Sequence, residues 1–133
     1  MGLVSCLGSG VETNWDAVTA GQSGIGVITH FDTTGFLTRI AGEVKDGFDL
    51  HGSIPPKEMR RLARHQQYAI VAAHEAFESS GLQTPLPDPY RCAVIIGSGM
   101  GGLETIETGH DILKAKGPKR MPPLVIPMVV INL

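Results

Sequence analysis

The chain has 133 residues, 42% of them hydrophobic and 18% charged, with 17 glycines and a formal net charge of −2. That composition is globular, and it excludes a disordered, collagenous or coiled-coil chain. The slightly negative balance excludes a general basic field for nucleic acid, so any charge-based recognition must come from a local patch.

The two cysteines, Cys6 and Cys92, are far apart and belong to no CxxC or Cys/His cluster. They read as reduced apolar thiols, which points to a cytoplasmic protein with no structural metal. No apolar run approaches the roughly 20 residues of a membrane span. Met1-Gly2-Leu3-Val4-Ser5 has no basic region and is no secretory signal. It runs straight into Gly8-Ser9-Gly10, as though an earlier strand were cut away.

The spacing predicts a helix over Val11 to Ala20, capped by Thr13 or Asn14, with Trp15 and Val18 as an apolar side and Gly21 at C′. Gln22-Ser23-Gly24 makes a turn. Ile25 to Ile28 is a short apolar stretch, and a short strand is expected near Arg39 to Val44. After Ser53, Pro55-Pro56 suits a first helical turn, and Lys57 to Ser80 contains neither Gly nor Pro. One long helix is therefore expected there. Its stripe is Met59, Leu62, Ala63, Gln66, Ala69, Ile70, Ala73, Ala76 and Phe77. Its small residues Ala69, Ala72, Ala73 and Ala76 imply close packing, and Gly81 ends it. Its first turns carry Lys57, Arg60, Arg61 and Arg64.

Thr84 to Pro89 holds three prolines and reads as a loop. Arg91 to Ile96 does not alternate, so it reads as a buried central strand. A helix is expected over Leu103 to Lys114, stopped by Gly117-Pro118 and followed by a second basic spot, Lys119-Arg120. Met121 to Leu133 is apolar but contains Pro122, Pro123 and Pro127, which predicts an irregular, buried-facing loop.

Gly97-x-Gly99-x-x-Gly102 matches the dinucleotide fingerprint and stands between an expected strand and helix. There a helix N-terminus would bind a pyrophosphate. The fingerprint also wants an acidic residue about 20 positions later, and after Asp111 the chain has no Asp or Glu. Two other readings remain. One is a tight turn in which glycines permit positive φ and close packing. The other is a glycine-lined wall for an apolar ligand, with Met100 as its large side chain.

Several blocks in order carry a resemblance. They are Gly2-Leu3-Val4-Ser5-x-Leu7-Gly8, Ala20-Gly21-Gln22-Ser23-Gly24-Ile25, His30-Phe31-Asp32-Thr33 and Ala41-Gly42-x-Val44. The most specific are Ile96-Gly97-Ser98-Gly99-Met100-Gly101-Gly102-Leu103 and Pro123 through Pro127 to Asn132. Together they resemble the β-ketoacyl-acyl-carrier-protein synthases, above all the elongating type II enzymes of fatty acid synthesis. The likeness covers essentially the whole chain.

The resemblance implies an α/β, thiolase-like fold layered α-β-α-β-α. Residues 1–133 would be the N-terminal part of its N-terminal domain, without the first strand and the catalytic segment. It implies a homodimer, no cofactor, and a decarboxylating Claisen condensation of an acyl thioester with malonyl thioester on acyl carrier protein. In that chemistry a cysteine takes the acyl chain and two histidines assist decarboxylation. The family's nucleophile lies in a Thr-Ala-Cys-type segment beyond Leu133. His30, His51, His65, His74 and His110 match neither histidine motif. No catalytic residue is therefore expected within the chain, and alone it is expected to be inactive.

At matching positions, Met100 would line and gate the acyl channel. Val125 would line the acyl pocket where a bulky aromatic is common, reaching across the dimer interface. Lys57, Arg60, Arg61, Lys119 and Arg120 fall where the family docks its acidic carrier protein. Cys6 stands where proline is common, and Met128 and Val129 replace a polar pair. Two alternatives stand beside this reading: a non-catalytic ketosynthase-like partner of the chain-length-factor type, and a small dinucleotide-binding module using the glycine loop. With strands unpartnered, 133 residues alone are expected to expose sheet edges and the Leu124 to Leu133 segment, and so to aggregate.

Overall fold

The structure is a computed structural model, and it describes residues 1–45 and 54–131. His51 and Ser53, and the end of the chain at Asn132 and Leu133, lie outside the described residues. By contacts the chain divides into two compact units, Met1–Ser53 with Val71–Gly81, and Ile54–Ile70 with Leu82–Leu133. The described strands form only two-stranded antiparallel pairs.

In the first unit, β1 (Val4–Ser5) and β2 (Gly8–Ser9) form a tight hairpin with Val4 opposite Ser9. Helix α1 (Val11–Thr19) follows at once. Its cap is not Thr13 or Asn14. The chain turns at Gly10, whose φ of 94° favours glycine, and no side chain caps the helix locally. The Val11 N–H instead donates to the Glu75 carboxylate at 2.6 Å, which also places negative charge at the helix's positive end. Asn14 turns inward and is 4% exposed. Its amide donates to the carbonyls of Gly8 (3.0 Å) and Gly10 (2.7 Å), and Ser5 Oγ donates to its oxygen. At the C-terminus, Gly21 N–H bonds Val18 O and Gln22 N–H bonds Ala17 O, with φ of 69° at Gly21. That is a Schellman closure at the expected glycine.

The second hairpin pairs β3 (Ile25–Val27) with β4 (Ile40–Gly42), both within the expected stretches, with Gly26 opposite Ala41. Residues 71–81 contribute the second half of α3 (Arg64–Ser80). The small-residue stripe does allow close approach: a Cβ at Gly2 would overlap the carbonyl of Ala72 and lie 2.8 Å from Ala76 N. Leu3 N–H also donates to Glu75 at 2.9 Å, so one carboxylate ties both the N-terminal segment and α1 to α3. Val71, 2% exposed, and Ala17, 6%, are the buried apolar residues here.

In the second unit the expected single helix is broken. Helix α2 (Pro56–Met59) ends after one turn, and α3 restarts at Arg64. Two glutamines hold the break. The Ala63 N–H donates to Gln66 Oε1 at 2.9 Å, while Gln67 Nε2 donates to Met59 O (3.2 Å) and Leu62 O (3.0 Å). Absence of Gly and Pro permits a continuous helix but does not compel one. Here glutamine side chains satisfy both sets of helix-end groups.

Arg91 to Ile96 forms no strand. Val94 is 87% exposed and Ile95 91%, and Cys92 is exposed, not buried. A central strand exists only through neighbours on both edges, and none lies beside it among the described residues. Helix α4 (Leu103–Lys116) forms as expected and stops at Gly117, φ 76°. A 3₁₀ turn, Pro118–Arg120, comes next. The proline-broken segment then contains a one-turn helix, α5 (Val125–Val129). Pro127 is its third residue, inside the first turn, where no intrahelical N–H is needed.

Candidate functional site

The glycine turn fixes what the second unit can offer. Gly102 N–H donates to Val129 O at 3.0 Å. A Cβ at Gly101 would overlap the Val129 carbonyl oxygen, and one at Gly102 the Met128 carbonyl oxygen. Gly101 also has φ of 61°. These glycines therefore let the backbone press against α5. The N–H that the dinucleotide fingerprint would aim at a phosphate is already spent on a carbonyl, so the turn is a packing device. Gly97 and Gly99 differ: nothing lies within 4 Å of a Cβ at either.

Met100 precedes this contact and is 68% exposed. Val125 opens α5 and is half-buried. Its methyl carbons lie 3.6 and 3.7 Å from where a Cβ on Gly109 of α4 would stand, and Met121 Cε lies at 3.5 Å. Gly109 is buried in mid-helix, and Val125 packs over it at a distance that would still fit a methyl group. The contact of Gly101-Gly102 with Met128-Val129 thus links the turn carrying Met100 to the helix carrying Val125.

Lys57, Arg60 and Arg61 lie on α2 and just after it; Lys119 and Arg120 lie in the 3₁₀ turn. All five are exposed and belong to the same unit. The two clusters sit on separate elements that do not pack extensively on one another. None of the five makes an ion pair among the described residues.

Sequence reasoning passed over Gln66. Its Oε1 accepts from Ala63 N–H, and its Nε2 donates to Pro127 O (2.8 Å) and Val130 O (3.0 Å). The available signal was one glutamine in an otherwise apolar stripe.

The first unit holds a concavity of about 310 Å³ beside the β3–β4 hairpin, lined by Thr29, His30, Glu43 and Lys45 among others. Its carboxylate is already engaged. Glu43 accepts from Thr29 N–H (3.0 Å), Thr29 Oγ1 (2.9 Å) and His30 N–H (3.3 Å), and His30 Nε2 stands 4.0 Å away. Burial pushes the Glu43 carboxyl up, but these hydrogen bonds and the His30 charge together carry it below its ordinary value. Asp32 is likewise lowered, first by the Thr34 hydroxyl and then by its N–H. Among the described residues no cluster of His, Cys, Asp or Glu could hold a metal ion, and no helix is long and apolar enough to cross a membrane.

Residues 1–132 match the family model described as "Beta-ketoacyl synthase, N-terminal domain". The chain is similar to the 3-oxoacyl-[acyl-carrier-protein] synthase 2 of Vibrio cholerae serotype O1, 47% identical over 133 residues, covering 100% of this chain and 32% of that protein. It is also similar to the synthase of the same name from Staphylococcus aureus, 42% identical over 130 residues, covering 98% of this chain and 32% of that one. Among solved structures, the ishigamide ketosynthase/chain length factor superposes with a TM-score of 0.71 at 29% identity, over 97% of this chain and 32% of that one. The chain thus spans about a third of the length of the relatives it matches.

Proposed function

The chain belongs to the β-ketoacyl synthase family, with the thiolase-like fold of that family represented in part, and from that premise we propose that it serves a 3-oxoacyl-acyl-carrier-protein synthase. Such an enzyme elongates acyl chains in fatty acid biosynthesis by decarboxylating condensation with malonyl thioester. The observation that carries the reading is the collinear match of residues 1–132, at 42–47% identity to synthases of one name. Within that enzyme this segment supplies recognition. Met100 and Val125 wall the acyl chain, and Lys57, Arg60, Arg61, Lys119 and Arg120 receive the acidic carrier protein. The cysteine nucleophile and the two histidines are not among these residues. The working enzyme is a cytoplasmic homodimer.

Exposure of all five cations supports the docking role, because unpaired surface charge steers an oppositely charged partner. In the full-length protein, Arg60→Glu with Arg61→Glu should raise KM for carrier-protein substrates by about tenfold while sparing thioesters of small thiols. Equal losses on both substrates would sink the docking role.

The likeness to a ketosynthase/chain length factor supports a second reading, a non-catalytic partner that shapes a pocket without a nucleophile. Condensation of acyl and malonyl thioesters by the purified full-length protein decides between them. Product formation supports the synthase. No product, with another residue in place of the nucleophilic cysteine, supports the partner.

A further inference from the structure

Helix α5 has five residues, too few to persist on its own propensity. What fixes it must come from outside, and its C-terminal carbonyls are where that happens. Val129 O is taken by Gly102 N–H, and Pro127 O and Val130 O by the two amide hydrogens of Gln66. The remaining polar atom of Gln66, Oε1, is occupied by Ala63 N–H at the start of α3. Flipping the amide would set its oxygen against two carbonyl oxygens and its nitrogen against an N–H, so only one orientation satisfies all three partners. We infer that Gln66 is a positioning residue that clamps α5, and through it the Val125 wall, so that it sets how sharply the acyl pocket discriminates chain length. The pocket half of this rests on the acyl-binding role proposed for Val125.

Gln67 provides a matched control. It also donates two hydrogen bonds from Nε2, but to Met59 and Leu62 at the end of α2 and not to α5. Gln66→Met and Gln67→Met conserve volume and each remove two donated bonds; Gln66→Met also removes the bond accepted from Ala63 N–H, which lies outside α5, so the two are compared at α5 itself and not by global stability. They are compared in the full-length protein by two measurements.

The first is amide hydrogen exchange at Met128 and Val130, whose N–H groups bond Leu124 O and Ile126 O across α5. Gln66→Met should accelerate exchange there about tenfold or more, as expected when two hydrogen bonds that anchor the helix are lost. Gln67→Met should leave it within about twofold. Equal exchange in the two variants overturns the clamp.

The second is the ratio of kcat/KM between the best acyl thioester and one two carbons longer, on a small thiol carrier. Gln66→Met should flatten this ratio about threefold to tenfold because the Val125 wall can retreat, and Gln67→Met should preserve it. Accelerated exchange with an unchanged ratio overturns the pocket half and keeps the clamp. A wild-type protein that condenses no acyl thioester overturns the synthase reading and the pocket half with it. The exchange comparison still decides the clamp.

Discussion

Replacing Gly102 by alanine tests whether the glycine turn is a packing device. A Cβ there would overlap the Met128 carbonyl oxygen while lying 3.1 Å from Met128 C and 3.2 Å from Val129 Cα. These are backbone atoms, so no side chain can swing away. Restoring ordinary contact requires α5 and the turn to part by about 1 Å. That separation stretches the 3.0 Å bond from Gly102 N–H to Val129 O beyond useful length. Losing it costs about 1 kcal/mol net, and more if the carbonyl is left dry, with strain adding a similar amount. The expected loss is about 2–4 kcal/mol. Gly99→Ala is the internal standard, since nothing lies within 4 Å of its Cβ and its φ is ordinary; it should stay within about 0.5 kcal/mol of wild type. Urea unfolding of the full-length protein, followed by circular dichroism, reads both. If Gly102→Ala and Gly99→Ala lose equal stability, the close approach is not what the glycine provides and the argument fails.

Asn14→Ala should destabilise by about 1–3 kcal/mol in the same assay, because the carbonyls of Gly8 and Gly10 lose the Asn14 side-chain amide at a buried site, Gly10 O keeping only the Asn14 backbone N–H. Gly109→Ala should do the opposite. Its Cβ would meet Met121 and Val125 at an ordinary 3.5–3.7 Å and remove a mid-helix glycine, a gain of up to about 1 kcal/mol in thermal unfolding. The hairpin should weaken with acid. Glu43 is lowered in the folded state, so its contribution is full above the ordinary carboxyl value of 4.5 and is lost as pH falls through its own, lower value. NMR titration of the Thr29 amide should show that midpoint below 4.5, and a midpoint at or above it contradicts the hydrogen-bonded carboxylate.

Local signals were legible where the chain answers them locally. Gly21 and Gly117 sit at helix ends because left-handed φ is cheap only for glycine, and both ends were readable. β3 was likewise visible as a short apolar stretch, and α4 as an apolar side at helical spacing stopped by Gly117-Pro118. The basic residues of α2 and the 3₁₀ turn were legible as charges, and their exposure follows from the cost of burying them.

What the residues alone determined is the family and the inventory: the ordered blocks from Gly2 to Asn132, the glycine turn and the two cationic clusters. Tertiary structure decided how each piece is used. A glutamine's partners are set by what lies across from it in space, so Gln66 and Gln67 could break a helix that propensity left intact. Glu75 caps a helix 64 residues earlier, a pairing no local pattern records. The apolar run Arg91 to Ile96 has strand composition, but a strand is a relation between chains of hydrogen bonds, and its neighbours are not among the described residues. The glycine turn shows the division most directly. Its spacing fits a phosphate cradle or a tight contact equally well, and only the carbonyls of Met128 and Val129 against it decide for contact.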